Sequence, residues 1–197
     1  MSSFPLDIVL MDRRAALVRA WRRAFADTPV TVRHGNILKA AEGQTLISPA
    51  NSFGWMDGGF DDVIRLVYLR AGVDIMTRVQ DAIATQADGE LLVGQALVIP
   101  TLEGPFSYLI SAPTMRRPGP VPFSDNAYLA FRAILRTALT WNPAHPDTPL
   151  PALYVPGLAT GAGLMSPRRA ARQMRAAWDA VCVPDATSVS TSQTFGG

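Results

Sequence analysis

Short apolar runs alternate with longer stretches whose apolar residues recur at helical spacing, and this alternation constrains the fold more than any other feature of the chain. Asp7 to Met11, Val30 to Arg33, Thr45 to Ser48, Ala96 to Pro100, Tyr108 to Ala112 and Leu153 to Pro156 read as strands. A helix is expected from Arg13 to about Ala26, because Ala16, Leu17, Ala20, Trp21 and Phe25 share one helical face, with Asp12 as its cap. Asp61 is expected to open a further helix carrying Val63, Ile64, Val67 and Tyr68. More helices are expected over Val73 to about Gln86, Ser124 to about Trp141, and from the Ser166–Pro167 cap to about Cys182. A strand followed by a helix must cross over before the next strand pairs, so the pattern predicts an α/β fold. The sheet should be largely parallel, with helices on both faces.

Composition removes several other classes. At 197 residues, 48% hydrophobic and 17% charged, the chain has the means to build one real core. No apolar run approaches the roughly 18 residues of a membrane span, and the N-terminus has none of the marks of a secretion signal. Cys182 is the only cysteine, which excludes a disulfide framework and a cysteine metal cluster. The expectation is a cytoplasmic protein with one domain over residues 1–183 and a flexible Ser/Thr-rich tail over 184–197. Net charge is +2 and the pI is near 9.0. The arginines are not gathered into one run with interleaved aromatics, and the pairs 13–14, 22–23 and 168–169 fall on expected helices as solvated faces, so no nucleic-acid partner is expected. Lys39 is the only lysine, so a mechanism that needs a catalytic lysine has only that one.

In open α/β sheets ligands sit beyond the carboxyl ends of the strands, so the loops that follow strands carry the chemistry. Two stand out. The first runs from Ser48 through Asn51 and Gly58–Gly59 to Asp61, from strand to helix. Its glycines let the backbone approach a ligand, and the following helix start offers unpaired N–H groups and the positive end of a dipole. The second, Pro156 to Leu164, has glycines at 157, 161 and 163 and almost no bulky polar side chains. Two such loops side by side would hold a diphosphate, although tight turns use glycine as readily. Neither loop carries a P-loop or dinucleotide fingerprint.

The run Ile47-Ser-Pro-Ala-Asn51-Ser52, with Gly58-Gly59-Phe60-Asp61 and Ile64, resembles the macro-domain motif NAANSxLxGGGGVDxAI without a gap. Gly35-Asn36-Ile37 resembles its upstream GDI, Gly94-Gln95-Ala96 its TGEA, Ile110 to Pro113 its IHTVGP strand, and Val155 to Gly163 its PAISTGIYGYP loop. The five segments keep their order over roughly residues 28–182.

The resemblance implies a three-layer αβα sandwich around a mixed, mostly parallel sheet, with a cleft for ADP-ribose. It places Asn36 and the Ile37 backbone at the adenine. Ala50, Asp57, Gly58, Gly59 and Phe60 would lie along the distal ribose and diphosphate. Ala159, Thr160, Gly161, Ala162, Gly163 and Leu164 would wrap the diphosphate from the other side. Asn51 and Asp61 would stand at the distal ribose and its reactive C1″ end as the catalytic pair. The implied function is binding of ADP-ribose or an ADP-ribosylated protein and hydrolysis of an ADP-ribose ester, either a mono-ADP-ribosylated acidic residue or O-acetyl-ADP-ribose. No metal or cofactor is implied, and the oligomeric state is left open. A binding module without turnover, or a macro-like fold used in assembly, are the alternatives.

The departures bear on these alternatives. Asn36 stands where the family has aspartate, so its bond to an adenine amino group loses charge assistance. Ser48 replaces the first asparagine of the motif, and Met56 and Asp57 replace two loop glycines. Asp57 would bring a second carboxylate to the distal ribose, or serve only as a turn residue. Asp61 itself reads either as a helix N-cap or as the base that activates water. Phe53, Trp55 or Phe60 would cover the distal ribose. Met56 reads as a gap filler, Trp21 and Trp178 as core, His34 and His145 as structural, and Arg116–Arg117 as surface residues.

Overall fold

The computed structural model describes residues 6–101 and 103–183; the tail expected over 184–197 lies outside the described residues. Six strands, β1 (Ile8–Asp12), β2 (Thr31–His34), β3 (Thr45–Ser48), β4 (Leu97–Pro100), β5 (Tyr108–Ser111) and β6 (Leu153–Val155), form one sheet in the order β2-β1-β6-β3-β5-β4. Every neighbouring pair is parallel except β4 with β5. Six helices complete the chain: α1 (Ala15–Ala24), α2 (Ile37–Ala40), α3 (Gly59–Arg70), α4 (Ile75–Gln86), α5 (Asn126–Ala144) and α6 (Pro167–Cys182).

Alternation along the strands builds the layers, since successive side chains leave a strand on opposite faces. Ile8, Leu10, Ile47, Ile110, Leu153 and Val155 pack with Leu17, Trp21, Phe131 and Trp178 in one cluster, which joins the sheet to α1, α5 and α6. Val9, Met11, Leu46, Leu109 and Tyr154 pack with Ile37, Ile64, Tyr68 and Val79 in the other, which joins it to α2, α3 and α4. The sheet is therefore buried on both sides, as a parallel sheet requires, and the architecture is a three-layer αβα sandwich. Among the described residues no helix is long and apolar enough to cross a membrane.

Local chemistry fixes several boundaries. Ser166 caps α6 by accepting the Arg169 N–H at 3.3 Å, with Pro167 in the first turn, where its missing N–H is harmless. Asp74 caps α4 through the Thr77 N–H, so that helix starts at Ile75 rather than Val73. Two capping expectations need correction. Asp12 ends β1 instead of capping α1, whose N-cap is Arg14; its carboxylate accepts the Arg14 N–H at 2.8 Å from outside the helix. Asp61 neither opens nor caps α3. Gly58 is the N-cap and Gly59 begins the helix at φ +62°, a conformation suited to glycine, so Asp61 falls within the first turn.

Candidate ligand-binding cleft

The carboxyl ends of β2, β1, β6, β3 and β5 all open at the same edge of the sheet, and a cleft of about 500 Å³ runs along them. That volume suits a bound small molecule. Because the strands are ordered across the sheet, so are the loops: Asn36 and Ile37 follow β2, Asp12 to Arg14 follow β1, the second glycine loop follows β6, the first follows β3, and Thr114 to Pro118 follow β5. An elongated ligand would meet them in that order.

The structure brings Asn36, Ile37, Ala50, Asn51, Asp57, Gly58, Gly59, Phe60, Asp61, Ala159, Gly161, Ala162 and Gly163 together around this cleft. Thr160 and Leu164 do not line it. Thr160 is turned onto Arg14, whose guanidinium donates to its carbonyl at 2.7 Å and its hydroxyl at 2.6 Å. Leu164 is largely exposed. The loop between them winds tightly, with Ala159 and Leu164 at positive φ and the Met165 N–H donating to the Ala159 carbonyl at 3.0 Å. Non-glycine residues held there are strained, and such strain gathers at functional sites.

Neither sequence spacing nor motif signalled the anchor of this loop. Arg14 bridges the Asp12 carboxylate, at 2.8 and 3.0 Å, to Thr160, and so ties the end of β1 to the loop after β6. Burial works against charge on Asp12, but the Arg14 hydrogen bonds and guanidinium prevail and hold its carboxyl below the usual range. The one available signal was the position of Asp12 to Arg14 directly after a strand.

The cleft glycines differ in what they do. A Cβ at Gly157 would lie 2.3 Å from the Thr160 hydroxyl, and one at Gly163 would lie 2.4 Å from the Ala159 carbonyl, so packing forces both to be glycine. A Cβ at Gly58 or Gly161 would meet nothing within 4 Å, and neither residue has a left-handed backbone. Packing and conformation leave these two positions free, and the space that glycine keeps open there is the cleft. No side chain caps α3, so its N-terminal amides and dipole remain for an anion beside Gly58 and Gly59.

Asp61 is 8% exposed and accepts a 2.7 Å hydrogen bond at Oδ1 from the hydroxyl of Ser48, the last residue of β3, itself 1% exposed. Burial pushes the Asp61 carboxyl up from 3.8 to about 6, and the Ser48 hydrogen bond opposes the rise. Asn51 is spent on its own loop: its oxygen accepts from the N–H groups of Phe53 and Trp55, and its amide donates to the Trp55 carbonyl. Asn36 accepts the Leu38 N–H at 3.3 Å and caps α2. Trp55 lines the cleft and stacks on Phe53 at 4.8 Å, and the Arg117 guanidinium lies over both rings. Arg116 pairs with Glu90, and neither arginine lines the cleft itself. Met56 is buried in the same apolar cluster as Ile64 and Tyr68 and does not line the cleft. Trp21 and Trp178 lie in the core, His34 hydrogen-bonds the Arg13 carbonyl across from the end of β2, and His145 bonds the Trp141 carbonyl within α5's last turn.

No protein-family model matches the sequence, and no curated protein does. Solved structures do resemble it. The macrodomain of Mycobacterium tuberculosis DarG superposes at a TM-score of 0.57 with 20% identity, over 75% of this chain and 88% of that one. A variant of the Oceanobacillus iheyensis macrodomain with ADPR gives 0.60 with 14% identity, over 89% and 78%. Thermosipho africanus DarTG in complex with ADP-ribose gives 0.58 with 14% identity, over 88% and 50%. At these identities the likeness is one of architecture. The chain has the macrodomain fold.

Proposed function

We propose that the chain binds ADP-ribose in this cleft and hydrolyses an ADP-ribose ester, either a mono-ADP-ribosylated acidic side chain or O-acetyl-ADP-ribose. One observation carries the reading: a buried carboxylate with a raised pKa stands two residues beyond the glycine-kept space at the uncapped start of α3. The diphosphate would lie between Gly58–Phe60 and Gly161–Gly163, with the α3 dipole and backbone amides meeting its charge. The adenine would lie toward Asn36 and Ile37, and the distal ribose toward Asp61. The bound complexes of the Oceanobacillus and Thermosipho proteins support this choice of ligand.

A carboxyl near 6 suits the chemistry. It is ionised at neutral pH, so it can accept a proton, and it is a stronger base than a solvated aspartate. Asp61 would take a proton from the attacking water: attack at C1″ breaks the C1″–O bond and releases the carboxylate to solvent, whereas attack at the ester carbonyl breaks the acyl–oxygen bond, and the departing ribose oxygen takes the proton back from Asp61. Asp57 also lines the cleft and would bear on the proton traffic or on phosphate affinity.

A second reading, binding without turnover, is favoured by Asn51, whose polar atoms are all committed to its own loop. Wild type and Asp61→Ala, compared on an ADP-ribosylated peptide and in calorimetry with ADP-ribose, separate the two. The hydrolase reading expects wild type to release ADP-ribose and the variant to fall by about 100-fold or more while still binding. Equal release by both removes the role of Asp61, and binding with no release of any ester by wild type establishes the second reading.

A further inference from the structure

We infer that Ser48 is the positioning residue of this site: its hydroxyl holds Oδ1 of Asp61 so that the other carboxylate oxygen is presented to the cleft as the base. The inference deepens the reading of Asp61 above and rests on it. At the sequence level Ser48 looks like a loss, because it replaces an asparagine of the motif. In the structure it is the only side chain among the described residues that hydrogen-bonds Asp61.

The geometry leaves Ser48 this role and no other. Its hydroxyl is buried at the end of β3 and does not line the cleft, so it cannot meet a ligand or act as a nucleophile. β3 is held in register between β5 and β6, which makes the Ser48 Oγ a fixed donor. Asp61 sits in the first turn of α3, where its carboxylate would otherwise be free to swing toward the helix amides. The bond at 2.7 Å uses Oδ1; Oδ2 has no hydrogen-bond partner among the described residues. One oxygen is thereby fixed and the other kept free.

The same bond sets the charge state. Burial favours the protonated acid, while the Ser48 hydroxyl donates more strongly to the charged carboxylate than to the neutral acid, which favours the carboxylate. The other charged groups around the cleft are Asp12, Arg13 and Arg14 after β1 and Asp57 in the same loop. On α3, Asp62 and Arg65 pair with each other at 2.6 Å, and after β5 Arg116 pairs with Glu90 while Arg117 lies over the Phe53 and Trp55 rings. The two causes that move the Asp61 carboxyl are burial and Ser48. Without Ser48, burial would act unopposed and a smaller share of Asp61 would be ionised at neutral pH, which weakens it as a base.

The test reads Asp61 directly by carboxyl ¹³C NMR titration, with Asp61→Asn as the assignment control. Ser48→Ala is expected to raise the Asp61 midpoint by about one pH unit or more, as loss of a hydrogen bond to a charged group should. Ser48→Thr keeps the donor and is expected to restore the midpoint. Should the alanine variant fail to fold, Ser48→Cys, near-isosteric with a weaker donor, is expected to give an intermediate value. The acid limb of kcat is expected to move with the midpoint. An unchanged or lowered midpoint in Ser48→Ala, or in Ser48→Cys in its place, overturns the inference. Because the titration needs no turnover, its failure is distinct from failure of the hydrolase reading.

Discussion

Replacing Asp61 by asparagine should stabilise the protein at neutral pH and barely change it in acid. The folded carboxyl titrates near 6, whereas the unfolded one titrates near 3.8. Below 3.8 both states are protonated and the group contributes nothing adverse. Between 3.8 and 6 the folded state holds the proton and the unfolded state releases it, so stability falls with rising pH until Asp61 ionises in the fold as well. At 1.36 kcal/mol per pH unit, the ionised carboxylate makes the native state about 3 kcal/mol less stable above pH 7 than a non-ionising equivalent. Asparagine is that equivalent. Its carbonyl oxygen can still accept from Ser48 Oγ at the present 2.7 Å distance, so the substitution removes the charge and keeps the contact. Thermal or urea unfolding of both proteins across pH 4 to 8 provides the assay. Near pH 7.5 the variant should melt roughly 6–12 °C higher, since 1 kcal/mol moves the Tm of a chain this size by about 2–4 °C. Near pH 4 the two curves should almost coincide. All other titrating groups are common to both proteins, so the pH dependence of the difference belongs to Asp61 alone. A difference that does not vary with pH, or a variant less stable at pH 7.5, would refute the reasoning. It would mean that the carboxylate is already well stabilised in the fold and is not held as a poised base.

The two kinds of glycine should separate experimentally. Gly161→Val, whose Cβ meets open space, should keep its Tm and lose at least about tenfold in ADP-ribose affinity by calorimetry. Gly163→Ala would press against the Ala159 carbonyl and Val121 and should lower the Tm with or without ligand; the reverse pattern would sink the distinction. Asn51→Ala should destabilise by about 1–3 kcal/mol in urea unfolding, because it removes three part-buried hydrogen bonds, those from the Phe53 and Trp55 N–H groups and that to the Trp55 carbonyl. Unchanged stability would show that the loop does not depend on that side chain.

Much of this fold is legible in the sequence because the central strands β1, β6, β3 and β5 are short, mostly apolar and buried on both faces, whereas the edge strand β2 is largely exposed. Thr45 to Ser48 is a strand with those same limits for that reason. Helix starts were harder to read. An aspartate ahead of an apolar stripe looks like a cap, but Asp12 continues β1 and turns its carboxylate to Arg14, while Asp61 turns inward to Ser48. The four-residue α2 left no periodicity to detect, although Asn36 caps it. The glycine loops were visible as glycine loops, but not which glycines serve packing and which keep space open, since that depends on what a Cβ would touch. The Arg14–Thr160 bridge spans 146 residues of sequence and follows from the parallel pairing of β1 with β6, which no local pattern records. Ser48 shows the limit most sharply. A one-letter departure from a motif cannot say whether a function was lost or another donor gained until the end of β3 is seen against the first turn of α3.

The central claim is that the loops after these strands hold ADP-ribose with its distal ribose at Asp61, and a crystal structure of the chain with ADP-ribose tests it most directly. The account predicts adenine beside Asn36 and Ile37, the diphosphate between Gly58–Phe60 and Gly161–Gly163, and C1″ within reach of the free oxygen of Asp61. A ligand bound elsewhere, or in this cleft with its distal ribose turned away from Asp61, would contradict it.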